Sequence, residues 1–105
     1  MKPFEWNDDK NLLIKATRGM GFEDAARAIL AGKALVTVKH PNQQKYPEQK
    51  IFVVLIKNYC YVVPYVENDE VIFLKTIYPS RKAFKKYLSK PAKGESAFGG
   101  KGNNL

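Results

Sequence analysis

Apolar residues in the first third of the chain recur at the spacing of an amphipathic helix. Five of them stand at positions i, i+3, i+4, i+7 and i+8: Phe22, Ala25, Ala26, Ile29 and Leu30. Such a stripe predicts a helix that packs one side into a core. Glu23 and Asp24 suit the first turn of this helix, and Gly32 suits the position just after its end.

An earlier helix is predicted ahead of the break that Gly19 and Gly21 make in the pattern. Asn7 or Asp8 has the side chain of an N-cap, and the helix is expected to run to about Thr17. Its apolar residues are expected on one side: Leu12, Leu13 and Ala16.

The remainder of the chain has the short apolar and alternating runs of β-strands. Four segments are predicted as strands: Leu35–Val38, Ile51–Ile56, Tyr59–Val66 and the run that begins at Val71. Pro64 lies inside the third run and argues for an edge or a bulge near that point. The segment Pro3–Trp6 is predicted as a further strand or an extended arm.

This order of elements predicts an α+β fold. Two N-terminal helices pack on one face of a curved antiparallel sheet of about four strands, and a short helix follows the sheet. The polar segment His40–Glu48 carries two prolines and is predicted as a loop, while Lys57-Asn58 is predicted as a turn. The sheet face away from the helices is expected to be open.

The stretch Val71–Leu88 combines a strand with a dense group of cations. Regular alternation would place Val71, Phe73 and Ile77 on one face, and Ile72 and Leu74 on the other. Tyr78-Pro79-Ser80 is then predicted to turn the chain into a basic helix, with Pro79 presetting its first turn. A lysine inside the strand, Lys75, precedes this helix, and we expect any polyanion to bind here.

Length and composition indicate one domain, residues 1–88, followed by a flexible tail, residues 89–105, that is rich in Gly, Ser, Lys and Asn. The chain has 18 Lys and Arg against 10 Asp and Glu, a net charge of +8. This excess favours a nucleic acid, a membrane surface or an acidic protein as partner, without choosing among them.

A single cysteine, Cys60, excludes an internal disulfide framework and fits a reducing compartment. It lies in an apolar run and is expected in the core. One Cys and one His argue against a zinc site, and no cofactor motif is present. The N-terminus has no apolar segment of the signal-peptide kind, and the apolar runs are shorter than a membrane span. We therefore expect a cytoplasmic protein without cofactor, metal or membrane contact.

Several short motifs, taken in order, resemble one known family. They are Phe4-Glu5-Trp6, Asp9-Lys10, Arg18-Gly19, Phe22-Glu23-Asp24-Ala25 and, after a strand, Ser80-Arg81-Lys82-Ala83. Their order and spacing, from about residue 4 to residue 88, resemble the BrnT-type toxins of bacterial type II toxin–antitoxin systems. The resemblance implies a RelE-like fold and a ribonuclease that arrests growth.

The resemblance also implies partners. A cognate antitoxin would neutralise the toxin, and an amphipathic segment covering the open sheet face or Val71–Leu88 is the simplest inhibitor. Operator DNA would be contacted only through the antitoxin, which supplies the DNA-binding part.

RNA cleavage without a metal uses the 2′-OH of the RNA as nucleophile, so the protein must move protons and stabilise charge on the phosphate. Lys75 and Arg81 are the predicted phosphate-binding cations, Tyr78 is a candidate proton donor or stacking surface, and His40 can exchange protons near neutral pH. Further candidates for RNA binding are Lys10, Arg18, Lys82, Lys85 and Lys86.

Each candidate also has a plain structural interpretation. His40 lies in a proline-flanked loop where a solvated histidine is common, and the lysines after Arg81 suit an ordinary solvated helix face. The same residues are compatible with a non-catalytic nucleic-acid-binding module or with a domain that docks an acidic protein. RNA cleavage, or only salt-dependent RNA binding, distinguishes these alternatives.

Overall fold

The computed structural model describes residues 2–87, so the predicted tail and the boundary at residue 88 lie outside the described residues. The elements, in chain order, are β1 (Phe4–Glu5), α1 (Asp8–Arg18), α2 (Phe22–Leu30), β2 (Ala34–Lys39), β3 (Lys50–Ile56), β4 (Tyr59–Glu67), β5 (Ile72–Leu74), β6 (Tyr78–Pro79) and α3 (Arg81–Tyr87). Within this range, no helix combines the length and the apolar content needed to cross a membrane.

The strands form one mixed sheet in the order β1-β5-β4-β3-β2, and β6 pairs with β4 in line with β5. The predicted α+β arrangement of helices on a sheet is confirmed. The sheet has six strands rather than about four, because the N-terminal segment pairs in parallel with β5 and the last predicted strand is split in two. Lys57 and Asn58, both at positive φ, form the predicted two-residue turn between β3 and β4.

The main core lies between the sheet and the two N-terminal helices. Phe22 of α2 is fully buried and its ring stacks on Trp6, with 5.7 Å between the ring centroids. The inner residues of β4 alternate between two cores, since Val63 and Tyr65 join this core while Cys60 and Val62 join a second one. The helices therefore cover the sheet face that carries the odd-numbered residues of β4.

The second core lies on the opposite sheet face, which was expected to be open. That expectation is wrong, because α3 packs there through Ala83, Phe84 and Tyr87. Helix α3 has a single side that can be buried, and its cations occupy the other side: Arg81, Lys82, Lys85 and Lys86. With seven residues, α3 covers only part of this face.

Helix α1 turns its predicted apolar side outward. Leu12 and Leu13 are 66% and 64% exposed, whereas the buried residues of α1 are Ile14 and the polar Asn11. Asn11 is accommodated by two hydrogen bonds: its Nδ2 donates to Glu23 Oε1 at 2.9 Å, and its Oδ1 accepts from the Phe22 N–H at 2.8 Å. Asn11 thus joins α1 to the start of α2.

Gly21 makes this junction possible. A Cβ at this position would lie 2.6 Å from Asn11 Oδ1 and 2.8 Å from Lys15 Cε, closer than side-chain atoms approach one another. The Gly21 N–H is satisfied by Asp24 Oδ2 at 2.8 Å, at the first turn of α2. A residue with no side chain therefore lets the two helices meet closely.

Candidate functional site

The cation-rich stretch after β4 contains a β-bulge. Leu74 lies opposite Tyr65 and Tyr78 lies opposite Val62, so the three residues between Leu74 and Tyr78 run against two residues of β4. The strand thus accommodates one extra residue between Leu74 and Tyr78, as bulges do. The prediction that Ile77 shares a face with Phe73 is consequently wrong, because Ile77 packs in the main core.

Pro64 provides a physical reason for the bulge. The Lys75 N–H donates to the Pro64 carbonyl at 2.8 Å, but Pro64 has no N–H with which to return a bond to the Lys75 carbonyl. The regular ladder cannot continue past this pair. A bulge near Pro64 was predicted, and it occurs in the neighbouring strand, whereas the alternative of an edge strand is wrong because β4 pairs on both sides.

The bulge brings Lys75 and Tyr78 to one face of the sheet. Residues three apart in a regular strand point to opposite faces. Here Lys75 lies beside Pro64 and Tyr78 lies opposite Val62, and these two β4 residues share a face. Both side chains are exposed, and Lys75 Nζ lies 5.5 Å from the centroid of the Phe73 ring.

Pro79 extends β6 rather than opening α3, and Ser80 caps that helix by accepting from the Ala83 N–H at 3.0 Å.

The loop between β2 and β3 folds back on itself. The His40 N–H donates to the Gln49 carbonyl at 3.0 Å, and the Gln49 N–H donates to the Tyr46 carbonyl at 3.2 Å. The rings of His40 and Tyr46 contact each other, with 4.5 Å between their centroids. The predicted loop is therefore held in one shape by backbone hydrogen bonds and an aromatic pair.

The hydrogen bonding of His40 fixes the role of its two ring nitrogens. The backbone N–H of Asn42 donates to His40 Nδ1 at 3.0 Å, so Nδ1 is an acceptor and carries no proton. In the neutral ring the proton is then on Nε2, which can donate a hydrogen bond.

These segments meet in a cleft of about 450 Å³. Its lining comes from α1, the β2–β3 loop, β4 and the bulge: Lys10, His40, Tyr46, Gln49, Pro64, Lys75, Thr76 and Tyr78. Among the residues that the structure describes, the lining contains two lysines and no carboxylate. Within residues 2–87, neither Lys10 nor Lys75 forms an ion pair. The cleft is thus suited to an anion that also presents apolar or aromatic surface.

The structure brings four of the predicted site residues together in this cleft: Lys10, His40, Lys75 and Tyr78. Arg81 does not line it and lies exposed at the start of α3, beside the predicted RNA-binding residues Lys82, Lys85 and Lys86. Arg18 ends α1, eight residues and about 12 Å along the helix axis from Lys10. It therefore does not join the cleft.

Three further polar or aromatic side chains of the cleft were not singled out from sequence: Tyr46, Gln49 and Thr76. Tyr46 and Gln49 follow His40 in the same polar loop, and their closeness to this candidate residue is the feature of the sequence that could have indicated them. Their approach to Lys75 depends on the folding of the loop, which no local pattern indicates.

Among the described residues, no group of three or more His, Cys, Asp or Glu side chains is placed to hold a metal ion. The acidic residues that form ion pairs lie outside the cleft lining: Glu23, Asp24 and Glu67. Comparison with known proteins found no match to a family model, a curated protein or a solved structure. The resemblance to BrnT-type toxins therefore stays a prediction carried by its motifs.

Proposed function

We propose that this protein is an endoribonuclease, the toxin component of a type II toxin–antitoxin system, and that the cleft is its active site. One observation carries the proposal: the bulge and the folded loop bring Lys75, Tyr78 and His40 into a single cleft, to whose lining residues 2–87 contribute no carboxylate. RNA cleavage through the 2′-OH requires groups that move protons and that stabilise the charge on the phosphate, and Lys75, Tyr78 and His40 are side chains of these kinds.

Each of these side chains has a role that its surroundings support. The exposed Lys75 ammonium, with Lys10 near it in the cleft lining, stabilises the charge that grows on the phosphate. His40 Nε2 donates a hydrogen bond to a phosphate or leaving oxygen, since Nδ1 is occupied by Asn42. The Tyr78 phenol is the group proposed to give a proton to the leaving 5′-oxygen, while the proton of the attacking 2′-OH passes to solvent water in the open cleft.

The cations of α3 extend the proposed RNA surface beyond the cleft. Arg81, Lys82, Lys85 and Lys86 lie on the side of α3 that is turned away from the sheet. Each such cation that contacts a phosphate adds to affinity and to its salt dependence rather than to specificity. In this proposal Arg81 holds the RNA backbone next to the cleft.

The motif resemblance supports the biological setting of the proposal. A cognate antitoxin would neutralise the enzyme by occupying the cleft or the surface of α3, and the pair would contact operator DNA through the antitoxin. Its substrate, cellular RNA, places the activity in the cytoplasm.

A non-catalytic RNA-binding module is the second candidate. The observation that favours it is the position of four cations on α3 outside the cleft, where they can bind a phosphate backbone without chemistry. Such a module would bind RNA with a steep salt dependence and leave it intact.

Growth after induction, followed together with the integrity of bulk RNA, tests the proposal. The wild type is expected to arrest growth and degrade RNA, and Lys75→Ala is expected to relieve both effects. Lys33→Ala is the matched control, because Lys33 is an exposed lysine outside the cleft. Normal growth and intact RNA with well-expressed wild type would contradict the ribonuclease proposal and favour the binding module.

A further inference from the structure

The side chain of Gln49 is placed to read a nucleobase. Its backbone is fixed in both directions, since its carbonyl accepts from the His40 N–H and its N–H donates to the Tyr46 carbonyl. Gln49, which carries a side-chain amide, is a lining residue of the cleft and is half-buried. This amide has no hydrogen-bond partner within the described part of the chain. An amide on a hydrogen-bonded backbone segment, with its donor and acceptor both available, is a typical means of recognising a polar edge.

Apart from His40 and Tyr78, which the proposed function assigns to the reacting phosphate and leaving oxygen, the groups of the cleft divide by the segment that supplies them. The cations come from α1 and from the bulge, as Lys10 and Lys75, whereas the β2–β3 loop supplies the ring of Tyr46 and the amide of Gln49. A nucleotide is divided in the same way, into an anionic phosphate and a flat base with a hydrogen-bonding edge. Aromatic rings beside cations bind unpaired nucleotides because bases stack while phosphates are neutralised.

We propose that the cleft holds one unpaired nucleotide of the RNA substrate, with Gln49 bonding the base edge and thereby setting the base preference of the enzyme. This inference rests on the proposed RNA site and adds the substrate class: single-stranded RNA with a preferred base. Adenine is the expected base, because the amide of Gln pairs with its adjacent donor and acceptor in a two-bond contact. In an A-form RNA duplex this edge of adenine lies in a deep, narrow major groove that side chains cannot read.

Binding to oligoribonucleotides that cannot be cut measures this preference directly. The probes are uridine 9-mers with 2′-O-methyl sugars, in which the central base is A, C, G or U. Wild type is expected to bind the adenine probe about tenfold or more tightly than the uridine probe, which corresponds to one good two-bond base contact. Annealing the adenine probe to its complement is expected to remove this preference.

The matched variants are Gln49→Met, Gln49→Ala and Gln44→Ala. Gln49→Met keeps the length of the side chain without its hydrogen bonds and is expected to bind all four probes alike. Gln49→Ala serves as a second variant, and the unfolding midpoint of each is compared with that of wild type. Gln44→Ala alters an exposed glutamine of the same loop that does not line the cleft, so it is expected to keep the preference.

A wild type that prefers a base other than adenine, or a preference that survives both Gln49 substitutions, would overturn the inference. Failure of the proposed function is recognised separately, because it is measured as the absence of cleavage of ordinary RNA. Wild type that binds the adenine probe selectively but cuts no RNA would contradict the nuclease proposal while supporting the role of Gln49.

Discussion

Replacement of Asn11 by alanine should destabilise the fold through the junction of α1 and α2. Asn11 is 5% exposed, and its amide satisfies the Phe22 N–H and one oxygen of Glu23. The Phe22 N–H lies in the first turn of α2, where no carbonyl of the helix can accept from it. Gly21, which precedes Phe22, has no side chain that could accept from this N–H in place of Asn11.

The expected loss in the free energy of unfolding depends on which groups Asn11→Ala leaves without a hydrogen-bond partner. A buried N–H without a partner costs about 1–3 kcal/mol, and loss of a capping interaction of this kind costs about 1 kcal/mol. The bond to Glu23 adds less, because the Glu23 side chain is 39% exposed and keeps Lys15 as a partner at 2.8 Å. We expect Asn11→Ala to lower the free energy of unfolding by about 2 kcal/mol, or the melting temperature by roughly 8–16 °C.

Urea unfolding followed by circular dichroism measures this change. Leu12→Ala is the matched control, because Leu12 is the next residue of α1 and is 66% exposed. It is expected to change stability by less than about 0.5 kcal/mol. If Asn11→Ala were as mild as Leu12→Ala, the inference that the buried amide joins the two helices would be refuted.

Three further predictions concern the same junction and the core. Hydrogen bonds from Lys15 and then Asn11 lower the pKa of Glu23 from 4.5 to about 2. The folded-state value lies below the unfolded one, so this stabilisation is complete above about pH 4.5 and is lost as the pH falls towards 2. Glu23→Gln should flatten the acid dependence of unfolding in that window, by about 1 kcal/mol for a side chain this exposed; an unchanged profile would contradict the assignment. Gly21→Ala should cost about 2 kcal/mol or more in urea unfolding, because its Cβ would meet Asn11 Oδ1, while Gly19→Asn, at φ 72° with open space around it, should cost less than about 1 kcal/mol. Burial raises the pKa of the Cys60 thiol, which is fully buried, so a thiol reagent at pH 8 should react only after unfolding; prompt labelling of the native protein would contradict this burial.

The elements of this fold could be predicted where one side of each element is buried. In α2, Phe22, Ala25 and Ile29 of the predicted stripe pack in the main core, whereas Leu30 is 64% exposed, so the stripe was interpreted correctly except at its last residue. The inner residues of β4 alternate between the two cores. Helix α1 could not be predicted as well, because its buried side holds the polar Asn11 while Leu12 and Leu13 are exposed. The spacing of apolar residues shows that one side of a helix is apolar, but it does not show which side the rest of the chain covers.

The candidate site could be predicted only as far as its parts are neighbours in sequence. Lys75 and Tyr78 were singled out together, and Pro64 indicated a bulge, but the face that both side chains share results from the register of β6 on β4. His40 was named for its chemistry alone. Its meeting with Lys75 depends on the loop that Gln49 closes, some 26 residues before Lys75 in the chain. Such contacts are fixed by tertiary packing, which outweighs local pattern.

The most direct test of the account is the cleavage of a defined single-stranded RNA by the purified protein in the presence of EDTA. Wild type is expected to cut, to leave a 2′,3′-cyclic phosphate, and to spare the same oligonucleotide carrying a 2′-deoxy sugar at the cut position. Lys75→Ala should lose most of this activity, and Lys33→Ala should retain it. Cutting of the 2′-deoxy substrate, or equal activity in the two lysine variants, would contradict the claim that this cleft cleaves RNA through its 2′-OH.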